Sequence, residues 1–224
     1  MKNKKISGKV YVWDIGIRLF HGSLIVLLLI SWWTGNEGGV YLRYHFWSGY
    51  CVLTLILFRV MWGFVGSTTA RFNYFIRSPK TVMYFFKDLV RREKYEGLSH
   101  NPAGSYMVVV LIVTLLVQVL TGFFSDDEIF NEGPFRHYIT SDFASELTAL
   151  HHLGFNIILV LVVIHILAVM WHELAKGERL VWPMITGKKK LCQETPNLFF
   201  ASGRRMVISF ILSVIIVWAM VTLF

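Results

Sequence analysis

Seventeen consecutive residues, Ala149 to His165, contain no charged side chain, yet imidazoles stand at positions 151, 152 and 165. The apolar run continues nearly to His172, long enough to cross a bilayer as a helix. An ionisable residue at membrane depth costs several kcal/mol unless something binds it, so such residues read as functional candidates. Spacing sorts them. At about 100° and 1.5 Å per residue, His165 returns to within about 40° of His151 and lies about 21 Å further along the axis. His152 falls on nearly the opposite face from His165. His151 and His165 therefore form a stripe, with His152 left as the alternative ligand.

The rest of the chain must be organised around a membrane. Its 224 residues are 55% hydrophobic with mean hydropathy +0.55, and several further runs approach twenty residues. We read an all-α integral membrane protein with spans at about 15–33, 44–63, 103–124, 148–172 and 206–224. The formal net charge of +8 suggests nucleic acid only until the charges are placed. Lysine and arginine crowd the N-terminus, residues 67–103 and residues 176–205. By the positive-inside rule these face the cytoplasm, which puts the N-terminus inside and the C-terminus on the outer side of the membrane. The intervening loops hold only Arg43 and Arg136 against Glu37, Asp126, Asp127, Glu128, Glu132, Asp142 and Glu146. That acidic outer face suits a lysine-rich partner. The two cysteines, Cys51 in a span and Cys192 in an inner loop, fit neither a disulfide nor an iron–sulfur cluster, and no Cys-x-x-Cys-His motif offers covalent haem attachment. Ser78-Pro79 opens an amphipathic pattern (Val82, Phe85, Phe86, Leu89 and Val90 opposite Lys87, Asp88, Arg91 and Arg92), a helix either on the inner leaflet or packed under the bundle.

Topology then pairs the histidines. The first span runs outward and the fourth inward, so His21 and His165 share the inner level; the second span runs inward from His45, which shares the outer level with His151. Facing imidazoles inside an apolar four-helix bundle are what a noncovalent haem with two axial histidines requires. Two such levels imply two b haems and transmembrane electron conduction. Gly22, Gly49 and Gly154, each next to or one turn from a histidine, would let a flat ring approach the backbone. Arg18 shares the face of His21, and Arg59, fourteen residues from His45, reaches the inner level; each is a candidate partner for haem propionates, the alternative being snorkelling to headgroups. His172 continues the His165 stripe as a propionate contact, a proton relay or an interfacial residue without redox role. His100 and His137, in loops, read as exposed or structural.

Taken together, Arg18-Leu-Phe-His21-Gly22, His45-Phe-Trp-Ser-Gly49, Ser99-His100-Asn101-Pro102-Ala-Gly104, the Leu150-His151-His152-Leu-Gly154 to His165 spacing and Arg179-Leu-Val-Trp-Pro183-Met-Ile-Thr-Gly187 resemble the bacterial di-haem cytochrome b561 family, which includes the b-type subunits of nickel–iron hydrogenases. The likeness covers roughly residues 9–190. It implies a four-helix bundle at 9–176 with the ligand pairs just derived, and electron exchange between a quinone or quinol and a partner redox protein, a c-type cytochrome or a hydrogenase-like enzyme. A connector at 177–205 and a fifth transmembrane helix at 206–224 extend beyond the minimal four-helix members. Two rival readings are a superoxide-quinone oxidoreductase within the same family and a His-lined metal or proton transporter. The transporter predicts acidic or cysteine co-ligands in the spans, where almost none occur.

Overall fold

The computed structural model describes residues 8–87, 97–126, 132–191 and 197–223. Strand β1 (Gly8–Tyr11) leads into helix α1 (Ile15–Glu37), followed by α2 (Leu42–Val65), the short α3 (Phe72–Phe75), α4 (Pro79–Lys87), α5 (Pro102–Gly122), α6 (Ser141–Leu174), α7 (Val181–Thr186), β2 (Lys188–Leu191) and α8 (Gly203–Thr222). Helices α1, α2, α5, α6 and α8 are long and apolar enough to cross a membrane, one for each expected span.

Local chemistry sets the helix starts. Asp14 caps α1, its Oδ1 accepting from the Ile17 amide at 2.8 Å, while its Oδ2 accepts from Trp62 Nε1 of α2 at 3.0 Å. A cap of this kind contributes about 1 kcal/mol. Asn101 caps α5 through Gly104 N at 2.7 Å, with Pro102 at the first helical position, where its missing N–H costs nothing. Thr140 caps α6.

Two apolar clusters bind the helices. Val52, Leu53 and Ile56 of α2 meet Ile112, Leu115 and Val119 of α5, with Ile158 of α6 and Val217 of α8. Ile17 and Phe20 of α1 join Leu55, Phe58 and Trp62 of α2 and the buried Val12 and Trp13. Helix α6 packs mainly on α5, and it meets α1 and α2 through the facing histidines and through Ile158 in the first cluster. Helix α8 lies on α2: Ser209, Ser213 and Val217, at four-residue intervals, are buried, and small side chains of this kind let membrane helices approach closely. Its start is tied to the end of α2 by Thr68 N to Phe199 O and Ala201 N to Ser67 Oγ, both at 3.0 Å, so α8 runs antiparallel to α2.

A two-stranded sheet among the described residues adds to the helical architecture expected. β1 pairs antiparallel with β2, Lys9 opposite Lys190 and Tyr11 opposite Lys188. The link is Gly187, which ends α7 at φ 80° and accepts from Val12 N at 2.7 Å; a Cβ there would sit 2.8 Å from the Trp13 carbonyl, so the position admits only glycine without strain. This two-stranded ribbon, antiparallel like a hairpin although its strands are far apart in sequence, gathers with α4 and α7 at one end of the bundle, called the hairpin end; the α1–α2 turn at Gly38 marks the other. At the hairpin end α4 packs against α5 with Val82 buried, the under-bundle arrangement. The remainder of its amphipathic pattern from position 88, the Cys192 position, and Asp127 and Glu128 lie outside the described residues.

Candidate functional site: two facing histidine pairs

The structure brings together the four histidines that spacing selected. His45 of α2 faces His151 of α6 near the turn end, with ring centroids 6.1 Å apart and planes at 79°. His21 of α1 faces His165 of α6 near the hairpin end, at 6.4 Å and 53°. His152 is exposed on the flank of α6. The α6 register separates the two levels by about 21 Å.

At the turn-end pair both rings are anchored. His45 Nδ1 lies 2.8 Å from the Ser31 carbonyl of α1, and His151 Nδ1 lies 2.8 Å from the Gln118 carbonyl of α5. A carbonyl only accepts, so each Nδ1 carries the proton and each Nε2 is left with a lone pair, the form in which imidazole binds a metal. Glycines make these approaches possible. A Cβ at Gly35 of α1 would fall 2.9 Å from His45 Nδ1, and one at Gly122 of α5 would fall 2.8 Å from His151 Cε1. Neither glycine was singled out from sequence. The signal was present for Gly35: it follows His21 by fourteen residues, the interval that separates His151 from His165, so it rides the histidine stripe of α1 into the other level. Gly154, read as a site for a flat ring, instead packs its backbone against Gln118 of α5.

The hairpin-end pair is surrounded by charge and aromatic rings. Neither His21 nor His165 makes a side-chain hydrogen bond among the described residues. Arg59 is 2% exposed, its guanidinium over the rings of Phe72 and Phe75 at 5.1 and 5.6 Å, and its Nη1 is buried with no hydrogen-bond partner among the described residues. Arg18 donates to the Ile185 carbonyl through Nη2 while its buried Nε has no partner among the described residues. His100, expected in an exposed or structural loop, has its ring between Trp13 and Phe75 at 4.8 and 4.9 Å. Although the residue keeps some accessible surface, enclosure of the ring lowers its pKa to about 3, with Arg59, His165 and His21 adding to the effect. His137 is exposed.

These features fit haem. A metal–imidazole bond of about 2 Å and about 1 Å from ring nitrogen to ring centre, on both sides, place two axial rings about 6 Å apart, as both pairs are. Each pair offers two nitrogens, and no cluster of three or more His, Cys, Asp or Glu occurs among the described residues, so a metal held there has to bring the rest of its coordination with it, as porphyrin iron does. The orphaned donors of Arg18 and Arg59 call for an anion, and a propionate is one. A Cβ at Gly22 or Gly49, beside His21 and one turn from His45, would meet nothing within 4 Å.

A family model described as prokaryotic cytochrome b561 matches residues 12–187. The chain belongs to the prokaryotic cytochrome b561 family. Its b-type haem chemistry and electron transfer follow from that membership, as does a multi-pass membrane protein. Among curated relatives it is 26% identical over 219 residues to a probable Ni/Fe-hydrogenase B-type cytochrome subunit of Rhizobium leguminosarum bv. viciae, covering 80% of this chain and 88% of the relative. It is 24% identical over 218 residues to a protein of the same name from Bradyrhizobium diazoefficiens, covering 81% and 86%, and 25% identical over 222 residues to one from Azotobacter chroococcum mcd 1, covering 84% and 91%. No solved structure matches the chain.

Proposed function

We propose that this cytochrome holds two b haems, one between His45 and His151 and one between His21 and His165, and carries electrons across a bacterial inner membrane between the quinone pool and a partner redox protein. The observation that carries the reading is the repetition of one arrangement at two levels: a facing imidazole pair at ligation distance near each end of the same helix. When bound, haem supplies a one-electron iron couple.

The chain's own residues do the rest. Ser31 and Gln118, through their carbonyls, hold His45 and His151 in the tautomer that leaves Nε2 to the metal. Arg59 and Arg18 neutralise propionates at the hairpin level, and the apolar faces of α1, α2, α5 and α6 exclude water. The lysine and arginine distribution supports a cytoplasmic hairpin end, which sets the acidic turn end toward a periplasmic partner. The relatives' names support a hydrogenase as that partner; a c-type cytochrome remains the other candidate that an acidic face suits.

Reduced-minus-oxidised and pyridine haemochrome spectra of the purified protein test this. Two b haems per chain are expected, with one lost in His45→Ala or His151→Ala and the other in His21→Ala or His165→Ala. Full haem content in all four variants would overturn the ligand assignment. Reduction of the haems by quinol, or reoxidation by quinone, in the wild-type protein tests the quinone link.

A further inference from the structure

Most polar side chains in the long apolar stretch of α6 have partners within the chain. His151 faces His45 and His165 faces His21, while the buried His172 has Nδ1 3.1 Å from Glu178 Oε2 and Nε2 3.2 Å from Asn101 Nδ2. His152 and Asn156 differ. Both are exposed, neither side chain makes a hydrogen bond among the described residues, and they stand four apart, hence on one face of the helix. The charge-free part of α6 lies between Glu146 and Glu173. Asn156 is about 5 Å from its midpoint and about 15 Å from Glu146 along the axis. A side chain as short as asparagine cannot reach water from that depth, and a carboxamide in hydrocarbon is costly unless something hydrogen-bonds it.

These two residues open a regular seam. From His152, the exposed side chains Asn156, Leu159, Val163, Ile166 and Met170 follow at alternating intervals of four and three residues. A repeat of 3.5 residues is what two helices packed side by side present to each other, with Asn156, Val163 and Met170 as one set of knobs and His152, Leu159 and Ile166 as the other. The seam is centred about 100° round α6 from His151 and about 140° from His165, so it is a separate face from the one that meets the opposing histidines. Helix α5, the main neighbour of α6, packs on the far side, against Gly154, about 160° away. The adjoining stripe of α6, from Leu153 through Ile157 and Val160 to Ile164, is equally exposed but wholly apolar, a surface suited to lipid. Only the seam carries groups that lipid leaves unsatisfied.

From this pattern we infer that a second copy of the chain docks on the His152–Met170 seam, α6 against α6, as a two-fold dimer in the membrane. Copies of one chain enter the bilayer the same way round, so a two-fold axis along the membrane normal sets the two α6 helices parallel, with Asn156 facing Asn156 of the copy at one depth. The carboxamide is self-complementary, carrying both donors and an acceptor, so each Nδ2 donates to the other's Oδ1; the two His152 imidazoles, one turn away, have the same capacity. A lone asparagine among apolar knobs is the device that fixes register in parallel two-stranded packing, and asparagine and histidine join membrane helices by hydrogen bonds. The helix of a different protein would satisfy Asn156 only if it carried a polar group at the same depth, whereas a second copy always does. The dimer is independent of the haem reading. Because His152 adjoins His151, it sets the turn-end pairs of two copies on either side of one α6–α6 contact.

The test uses the full chain, purified with its haem and placed in lipid vesicles at a low protein-to-lipid ratio, with Cys51 and Cys192 replaced by serine. Single cysteines are introduced on the seam by Val163→Cys and Ile166→Cys and beside it by Val160→Cys and Ile164→Cys, then oxidised. Disulfide-linked dimers are expected from the two seam variants and not from the other two, because a disulfide forms only where the Cβ atoms approach closely. In the cysteine-free protein, single-molecule photobleaching over a dilution series should show a monomer–dimer equilibrium. Asn156→Leu should raise its dissociation constant about 3- to 30-fold, the range that interhelical hydrogen bonds span in membranes, and Asn156→Gln, which keeps the amide, should recover most of the affinity. Both variants should keep the wild-type haem content, which separates lost docking from lost folding. If Asn156→Leu loses haem, the cysteine pattern decides, since it leaves Asn156 in place. Monomers at every dilution, disulfides from Val160→Cys or Ile164→Cys instead of the seam variants, or a dimer indifferent to Asn156→Leu would each overturn the dimer. Seam cysteines that link only to a different subunit in a purified complex would overturn it too, giving the seam to that subunit.

Discussion

The two histidine pairs have nearly the same ring separation, 6.1 and 6.4 Å, but they reach it by different means. At the turn end, carbonyls of α1 and α5 grip both Nδ1 atoms, and two glycines let the neighbouring helices come close enough to do so. At the hairpin end, neither ring has a side-chain hydrogen bond among the described residues, and two cationic side chains belong to that level instead, the buried Arg59, whose charge Asp14 partly offsets, and Arg18. A carbonyl on Nδ1–H makes an imidazole a stronger electron donor, which favours ferric iron; a nearby cation favours ferrous iron. Both differences act in the same direction. With a haem at each pair as proposed, the turn-end one is expected to have the lower potential and the hairpin-end one the higher, an order that would make electron flow from the turn end to the hairpin end downhill.

The comparison breaks most completely at the glycines. Gly122→Leu drives a side chain into His151, and Gly35→Leu into His45, at positions where even a methyl group would stand 2.8–2.9 Å from the ring. Each variant should bind one haem per chain instead of two, with the hairpin-end haem retained, as read by pyridine haemochrome. Loss of both haems, or of neither, would show that the two sites are not independently built.

Arg59 tests the other half. Arg59→Met keeps the length of a side chain packed over Phe72 and Phe75 but removes the charge. At an effective dielectric near 20, a cation close to the iron is worth on the order of 1–2 kcal/mol, so the hairpin-end potential should fall by tens of millivolts while the turn-end potential stays within a few. Arg59→Lys, which keeps the charge without the planar fork, should fall less. Redox titration of both haems in each variant checks the order, and an equal shift at both sites would count against placing Arg59 at one level.

How much of this was legible in the sequence follows from which contacts are local. The five spans and the cap at Asn101 sit where helical periodicity, hydropathy and capping residues put them, because each depends on neighbours in the chain, although α6 starts at Ser141 after its Thr140 cap and not at the expected 148. The four-histidine arrangement was legible too, since helix geometry carries a fourteen-residue interval along α6 and alternating topology supplies the partner. What escaped depends on contacts between distant segments. The β1–β2 pairing joins residues about 180 apart and places Lys9 opposite Lys190, a register that charge alone would discourage. The ring of His100 is enclosed only because Trp13 and Phe75, from two other parts of the chain, close on it. Glu178 lies just past the fourth span in what reads as a solvated connector; its burial follows from the return of the chain, its amide donating to the His172 carbonyl at 3.0 Å.

The finest test of the comparison concerns a single hydroxyl. The Gln118 carbonyl accepts from His151 Nδ1 at 2.8 Å and also from Thr121 Oγ1 at 2.9 Å, while Thr121 Oγ1 lies 3.3 Å from the same ring nitrogen. Two donors on one oxygen compete for its lone-pair density. Thr121→Val preserves the shape and removes the competitor, leaving the carbonyl a better acceptor and His151 a stronger donor to iron. Neighbouring hydrogen bonds alter one another by about 10–30%, so for a bond worth about 1 kcal/mol the turn-end potential should fall by roughly 10 mV. The hairpin-end potential, 21 Å or so along α6, should not move. A rise at the turn end would mean that Thr121 donates to the ring and not only to the carbonyl, in which case His151 carries its proton on the nitrogen facing His45 and the anchoring argument fails at its first step.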